Sequence, residues 1–287
     1  MTVTGTTEAA APVRPPKRRI ARRSRWGEWI LSVIVLFLLV LLANSLATNE
    51  RLGWEVVGEY LFSPLIIGGV GVTLAIAIGC MLLAIVVGLI SALMGQSHSP
   101  VLKTLSVGYV WVFRGTPVLV QLIFWYNLAL LFPRLTIGVP FGPEFWSWDT
   151  NEVISPIVAA VIGLTLAEGA FMSEIIRGGI TAVDRGQVEA AQALGMTKRR
   201  TMRRIVLPQA TRIVIPPTGN EFITMLKGTS LLAVIAVPEL LFSAQRIYNV
   251  NYQVTALLIV ASLWYLAMTS VATTGQYFLE RHYARKG

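Results

Sequence analysis

Residues 184 to 217 read DRGQVEAAQALGMTKRRTMRRIVLPQATRIVIPP, a long polar and basic interval with strongly apolar sequence on both sides. Such a stretch reads as a large loop at one face of a membrane, and its positive charge places it on the cytoplasmic side. Asp184 followed three residues later by Gln187 has the spacing of a helix-starting capping box. Val188 to Leu194 is rich in helix formers, and Gly195 stands where a left-handed C-terminal cap is wanted. Thr197 then suits the N-cap of a second helix through Met202, Ile205 and Val206, which Pro208 is expected to end. The reading is helix, glycine turn, helix. An ordinary solvated loop has the same composition.

Outward from this loop, the whole chain has the character of a membrane protein. Of 287 residues 54% are hydrophobic and only 14% charged, with a mean hydropathy of +0.64, too apolar for a soluble globular chain. A net charge of +9 raises nucleic acid as a partner, but the Lys and Arg residues sit between apolar spans without interleaved aromatics to stack bases, so none is expected. The lone Cys80 allows no intrachain disulfide and reads as a small buried hydrophobe.

Residues 1–28 form a basic tail, expected to be disordered and cytoplasmic, and the apolar run 29–47 reads as a retained transmembrane helix. Five further spans are expected, at 64–95, 109–132, 153–176, 222–242 and 254–272, giving an all-α polytopic protein with six transmembrane helices. In the span 64–95, Gly71, Ala75 and Gly79, and again Ala84, Gly88 and Ala92, recur every four residues as stripes that let a neighbouring helix approach. The loops 48–60, 133–152 and 243–252 read as outer loops, the second of them acidic and aromatic. Of the 24 Lys and Arg residues only Arg51, Arg134 and Arg246 fall in these loops, which puts both termini in the cytoplasm and the chain in the plasma membrane.

Four stretches carry a resemblance to a known family. Glu189-Ala190-Ala191, Gly195, and Ile205-Val206-Leu207-Pro208 match in identity and spacing the EAA signature of permease subunits of ATP-binding-cassette (ABC) importers. Phe113-Arg114-Gly115-Thr116-Pro117 with Gln121 resembles the FRGTPxxxQ stretch of the amino-acid branch of those permeases. Ala170 to Gly179 resembles its AYxxEixRGG segment, with Phe171 in place of the usual Tyr. Leu226 to Leu231 resembles LKDTSL, with Gly228 where Asp is usual, so a role resting on that acid is in doubt. The resemblance implies a five-helix type I permease domain over 64–279, one extra N-terminal helix, and a coupling loop within 181–217. Glu189, Ala190, Ala191, Leu194, Gly195 and Met196 would there dock on a separate ATPase subunit. It also implies an extracytoplasmic amino-acid-binding protein and a second permease copy or paralogue in the same bilayer. ATP and Mg would be held by the ATPase, and no cofactor by this chain.

No GxxxxGK[ST] phosphate cradle occurs, so the chain is not expected to hydrolyse ATP or act as an enzyme. His98 and His282 lie apart, without carboxylates at metal-binding spacing, so no metal is expected. Glu168 and Glu174 read as the only acids well inside an apolar span. A charge at that depth costs about 2.5–3.5 kcal/mol on insertion scales, so it normally faces a cavity or a partner. Glu174 has Arg177 one turn away as an ordinary partner; Glu168 has none nearby. With Gln121, Thr116, Lys227, Thr229 and Ser230, these two acids make the candidate substrate path, though capping of a helix end accounts equally for the last three. The rival readings are an ATPase-independent secondary transporter or channel, for which no convincing internal repeat is found, and a membrane-integral enzyme, for which nucleophile, base and metal clusters are lacking.

Overall fold

The computed structural model describes residues 26–139 and 142–284. The expected disordered tail lies largely outside these residues, although Trp26 to Glu28 already belong to a helix. The chain divides into two compact units, 1–50 and 51–287. What is described of the first is α1 (Trp26–Ala47), 22 residues without a polar interruption between Val33 and Leu42, long and apolar enough to cross a membrane.

In the second unit α2 (Trp54–Tyr60) follows Gly53, whose φ of +64° starts the turn. Next comes α3 (Pro64–Gly95), opened by the Ser63 hydroxyl, which accepts from the Ile66 N–H, and by Pro64 in the first turn, where its missing N–H costs nothing. Ser155 and Pro156 open α7 (Pro156–Thr181) in the same way. These two long helices pack along much of their length because small residues meet at their crossing. A Cβ on Gly88 would stand 2.6 Å from that of Met172, so only glycine permits this approach. Ala84, Gly88 and Ala92 are buried as the spacing requires. The other stripe departs from expectation: Gly71 and Ala75 are exposed, and nothing approaches Gly71 or Gly79 within 4 Å. Gly69, beside Ser243 and Leu240, makes the second close contact of α3.

Between α3 and α7 the chain forms α4 (Pro100–Gly115), α5 (Val118–Tyr126), the antiparallel strands β1 (Arg134–Gly138) and β2 (Glu144–Asp149), and the short α6 (Thr150–Val153). The single span expected at 109–132 is therefore two helices bent by 102°, because Pro117 and the extended residue before it cannot continue a helix. The loop 133–152, expected outside, contains a hairpin in which Leu135 opposes Trp148 and Ile137 opposes Trp146, a pairing its alternating pattern permits.

Beyond the loop, α8 (Arg185–Ala193) and α9 (Lys198–Thr201) lead through one π-helical turn, 202–206, into α10 (Leu207–Gly228). Pro208 does not end a helix here. It sits in the first turn of α10, where no N–H is needed, and the helix runs on through Pro216 and Pro217. A 3₁₀ segment, 229–235, and a left-handed Ala236 then break the span before α11 (Leu240–Asn251) and α12 (Val254–Ala284). The expected span 222–242 is thus one part of a longer element bent by 44°, and the expected outer turn 243–252 is helical. Among the described residues four helices are long enough to cross a membrane, or up to six if each bent pair is one span.

The core has two parts. Ile76, Cys80, Met81, Leu122, Leu164, Met172 and Leu232 fill the space among α3, α5 and α7, and Ile66, Leu226, Leu240, Leu257 and Val260 join α11 and α12 to α3 and α10.

Candidate coupling elbow and substrate path

The loop folds as its residues dictate. The Asp184 side chain accepts from the Gln187 N–H, but Gln187 does not complete the capping box; its side-chain Oε1 accepts from Gln209 Nε2 at 2.6 Å, tying α8 to α10. At the other end Gly195 has φ +77°, its N–H donates to the Gln192 carbonyl and that of Met196 to the Ala191 carbonyl, the paired bonds of a Schellman cap. Thr197 Oγ1 then accepts from the Arg200 N–H to start α9. Val183, Val206 and Ala210, with Val188 and Met202, hold the elbow against the ends of α7 and α10.

This packing sorts the coupling candidates. Ala191 is buried and Met196 half-buried, so both serve the elbow's own fold. Glu189, Ala190 and Gly195 are exposed, and Leu194 at the tip is 84% exposed, an apolar side chain projecting from a polar loop. A projecting leucine on a rigid turn suits a cleft in another protein.

The substrate-path candidates separate into distinct environments. Glu168 is at the middle of the 26-residue α7, about 18 Å from either end at 1.5 Å per residue. It is 9% exposed, its carboxyl lies against that of Glu221 on α10, and its Oε1 is buried without a hydrogen-bond partner. Two carboxyls in contact do not both ionise unaided: they share a proton, or a cation placed beside them lets both carry charge. Glu221 is not among the sequence candidates, since it falls one residue outside the expected span 222–242. The continuation of α10 back to Leu207 places it within the helix instead.

Glu174 is not at this site. It makes two hydrogen bonds to Arg177, of 3.0 and 2.5 Å, and lies 3.9 Å from Arg114, whose guanidinium covers the Phe171 ring at 5.1 Å. Gln121 Nε2 donates to the Phe113 and Thr116 carbonyls and to Thr116 Oγ1, while Thr116 Oγ1 donates to the Val112 carbonyl. These two side chains hold the break between α4 and α5. Thr229 is buried with its hydroxyl on the Leu226 carbonyl. Ser230 bonds the Lys227 carbonyl, and Lys227 and Ser230 line a shallow concavity of about 280 Å³ with Tyr265.

A second buried acid was missed. Glu239 is fully buried; it accepts from the Leu241 and Phe242 N–H groups at 2.9 and 2.7 Å and from Tyr265 Oη at 2.6 Å. Glu168 and Glu174 are therefore not the only acids inside the apolar spans. Val237-Pro238-Glu239 is itself a helix-start signal that could have located it.

Among the described residues, four to six apolar elements long enough to cross a membrane, with an exposed polar elbow between two of them, have the form of a multi-span membrane protein. Residues 84–285 match the family described as binding-protein-dependent transport system inner membrane component, and the chain belongs to it. It is 43% identical to the arginine transport system permease of Corynebacterium glutamicum over 90% of this chain and 81% of that one. It is 32% identical to the histidine/lysine/arginine/ornithine transport system permease of Escherichia coli over 78% of this chain and 96% of that one. A crystal structure of an amino acid ABC transporter with histidines matches with a TM-score of 0.67 and 34% identity, covering 77% of this chain and 95% of that one. The methionine ABC transporter MetNI, in an inward-facing form, shares the fold with a TM-score of 0.58 at 18% identity. The protein is a permease subunit of an ABC importer.

Proposed function

We propose that the chain carries a cationic amino acid of the arginine type across the plasma membrane. The observation that carries this reading is the Glu168 and Glu221 carboxyl pair at mid-span, with one oxygen still unpartnered. A side-chain guanidinium or ammonium group can replace the proton that such a pair otherwise shares, which a neutral side chain cannot do. The substrate named for the Corynebacterium relative agrees with that chemistry. Residues 64–279 act as the permease domain, 29–47 as an additional span, and 1–28 as a tail on the cytoplasmic side with the C-terminus.

An extracytoplasmic binding protein delivers the substrate to a pair of permeases, this chain with a second copy or a paralogue. ATP and Mg are bound by separate ATPase subunits. Closure of the ATPase pair moves the elbow at Glu189 to Met196 and, through it, α7 and α10. The carboxyl pair, which joins those two helices, is exposed alternately to the two sides as they tilt. The test is uptake into proteoliposomes holding the assembled transporter with binding protein outside and ATP inside. Arginine is expected to be accumulated and to stimulate ATP hydrolysis; stimulation by a neutral amino acid with none by arginine or lysine overturns the reading.

A further inference from the structure

The π-helical turn that joins α9 to α10 gathers charge beyond the elbow residues 189 to 196. Arg199, Arg200, Arg203 and Arg204, with Thr197, line a concavity of about 550 Å³. All four arginines are exposed, and among the described residues none of them makes an ion pair. They form two like-charged pairs four residues apart, 199 with 203 and 200 with 204, an arrangement that destabilises a helix unless an anion lies between the side chains. A π turn in that position widens the helix, a distortion found frequently where a helix serves a site.

The surroundings say which anion. Leu207, one turn beyond Arg203, and Ile213, further along α10, are each 42% exposed, with Thr211 and Arg212 exposed between them, so apolar side chains first face outward about 6 Å along the axis from Arg203. Guanidinium groups at the boundary where a span enters hydrocarbon stand at the depth of lipid phosphates, and their planar fork binds a phosphate through two parallel N–H bonds. We propose that Arg199, Arg200, Arg203 and Arg204 form a binding site for the phosphate of an anionic phospholipid headgroup, fixed at the junction between the elbow and α10. The lipid's negative charge offsets part of the cluster's repulsion and anchors the base of the elbow to the bilayer surface. This site is independent of the cargo reading.

The test needs no transport. The complex purified through a tag on the full-length chain, in neutral detergent, is titrated with phosphatidylglycerol or phosphatidylcholine and retained lipid is counted by native mass spectrometry, with and without millimolar inorganic phosphate. Each arginine near an anionic surface contributes about fivefold to binding, so the parent should prefer phosphatidylglycerol by about tenfold or more. Arg203→Gln/Arg204→Gln should abolish that preference, and Arg281→Gln, at the other basic end, should not. Arg199→Gln/Arg200→Gln on α9 tests the same site if the first pair does not assemble. Equal retention of the two lipids, or a preference that survives both double variants, overturns the proposal. So does displacement of the lipid by inorganic phosphate, which marks a site for soluble anions, or loss of the ATPase subunit from the variants with lipid retention unchanged, which marks a protein interface.

Discussion

Glu168, Glu174 and Glu239 differ in what surrounds them, and the difference separates their work. Glu239 has a donor for each oxygen: the two N–H groups that open α11 and the Tyr265 hydroxyl. Glu174 is met by Arg177. Glu168 has an unpartnered oxygen and a second acid beside it. Glu168→Gln keeps volume and hydrogen bonding while removing charge, so transport of a cationic substrate should fall at least tenfold while assembly is kept; unchanged uptake at normal expression makes Glu168 structural. Glu239→Ala should do the reverse. Loss of the cap costs about 0.5–2 kcal/mol and the stranded Tyr265 hydroxyl about 1–3 kcal/mol more, a drop in melting temperature without a change in substrate preference. A changed preference with an unchanged melting temperature refutes that assignment.

At the scale of elements the elbow is set by Gly195. No atom outside the glycine's own neighbourhood lies within 4 Å of where its Cβ would stand, so the only obstacle to a side chain is the backbone itself, held at φ +77°. A β-branched residue is the worst choice there. Gly195→Val should cost roughly 1–2 kcal/mol locally, too little to prevent insertion of the spans, yet it shifts the turn that carries Leu194. Ligand-stimulated ATP hydrolysis should be lost from a fully assembled complex; parent-like stimulation means the elbow does not couple. This element was legible because its signals are local: Asp184, Gly195 and Thr197 each act within four residues. The breaks in the spans were not. Pro208 reads as a stop or a start depending on whether the preceding turn is α or π, and Ala236 takes a left-handed conformation that no residue type announced. The Glu168 and Glu221 pair is 53 residues apart in sequence and becomes visible only when α7 and α10 pack.

Across the second unit, α3 and α7 pack along much of their length, and Gly88 is where their backbones meet. Gly88→Leu drives a side chain into Met172 and the Ser173 N–H, so the folded yield should fall sharply, whereas Gly71→Leu, at an open position, should be tolerated. Equal yields from the two variants refute the crossing. The orientation of the bundle is tested by thiol labelling in a Cys80→Ala background, which removes the protein's single cysteine. The outer site is Asp149, exposed at the end of β2. The inner site must be exposed as well: Thr201 in the loop is 2% exposed and a poor target, whereas Lys198 at the start of α9 is open to solvent. Both replacements leave the core untouched, so a difference in labelling reports the side of the membrane and not the fold. Because the basic loop belongs inside, an impermeant maleimide added to intact cells should modify Asp149→Cys and spare Lys198→Cys, and lysis should expose the latter. Modification of Lys198→Cys in intact cells, with Asp149→Cys protected until lysis, inverts the bundle and removes the elbow from any cytoplasmic ATPase.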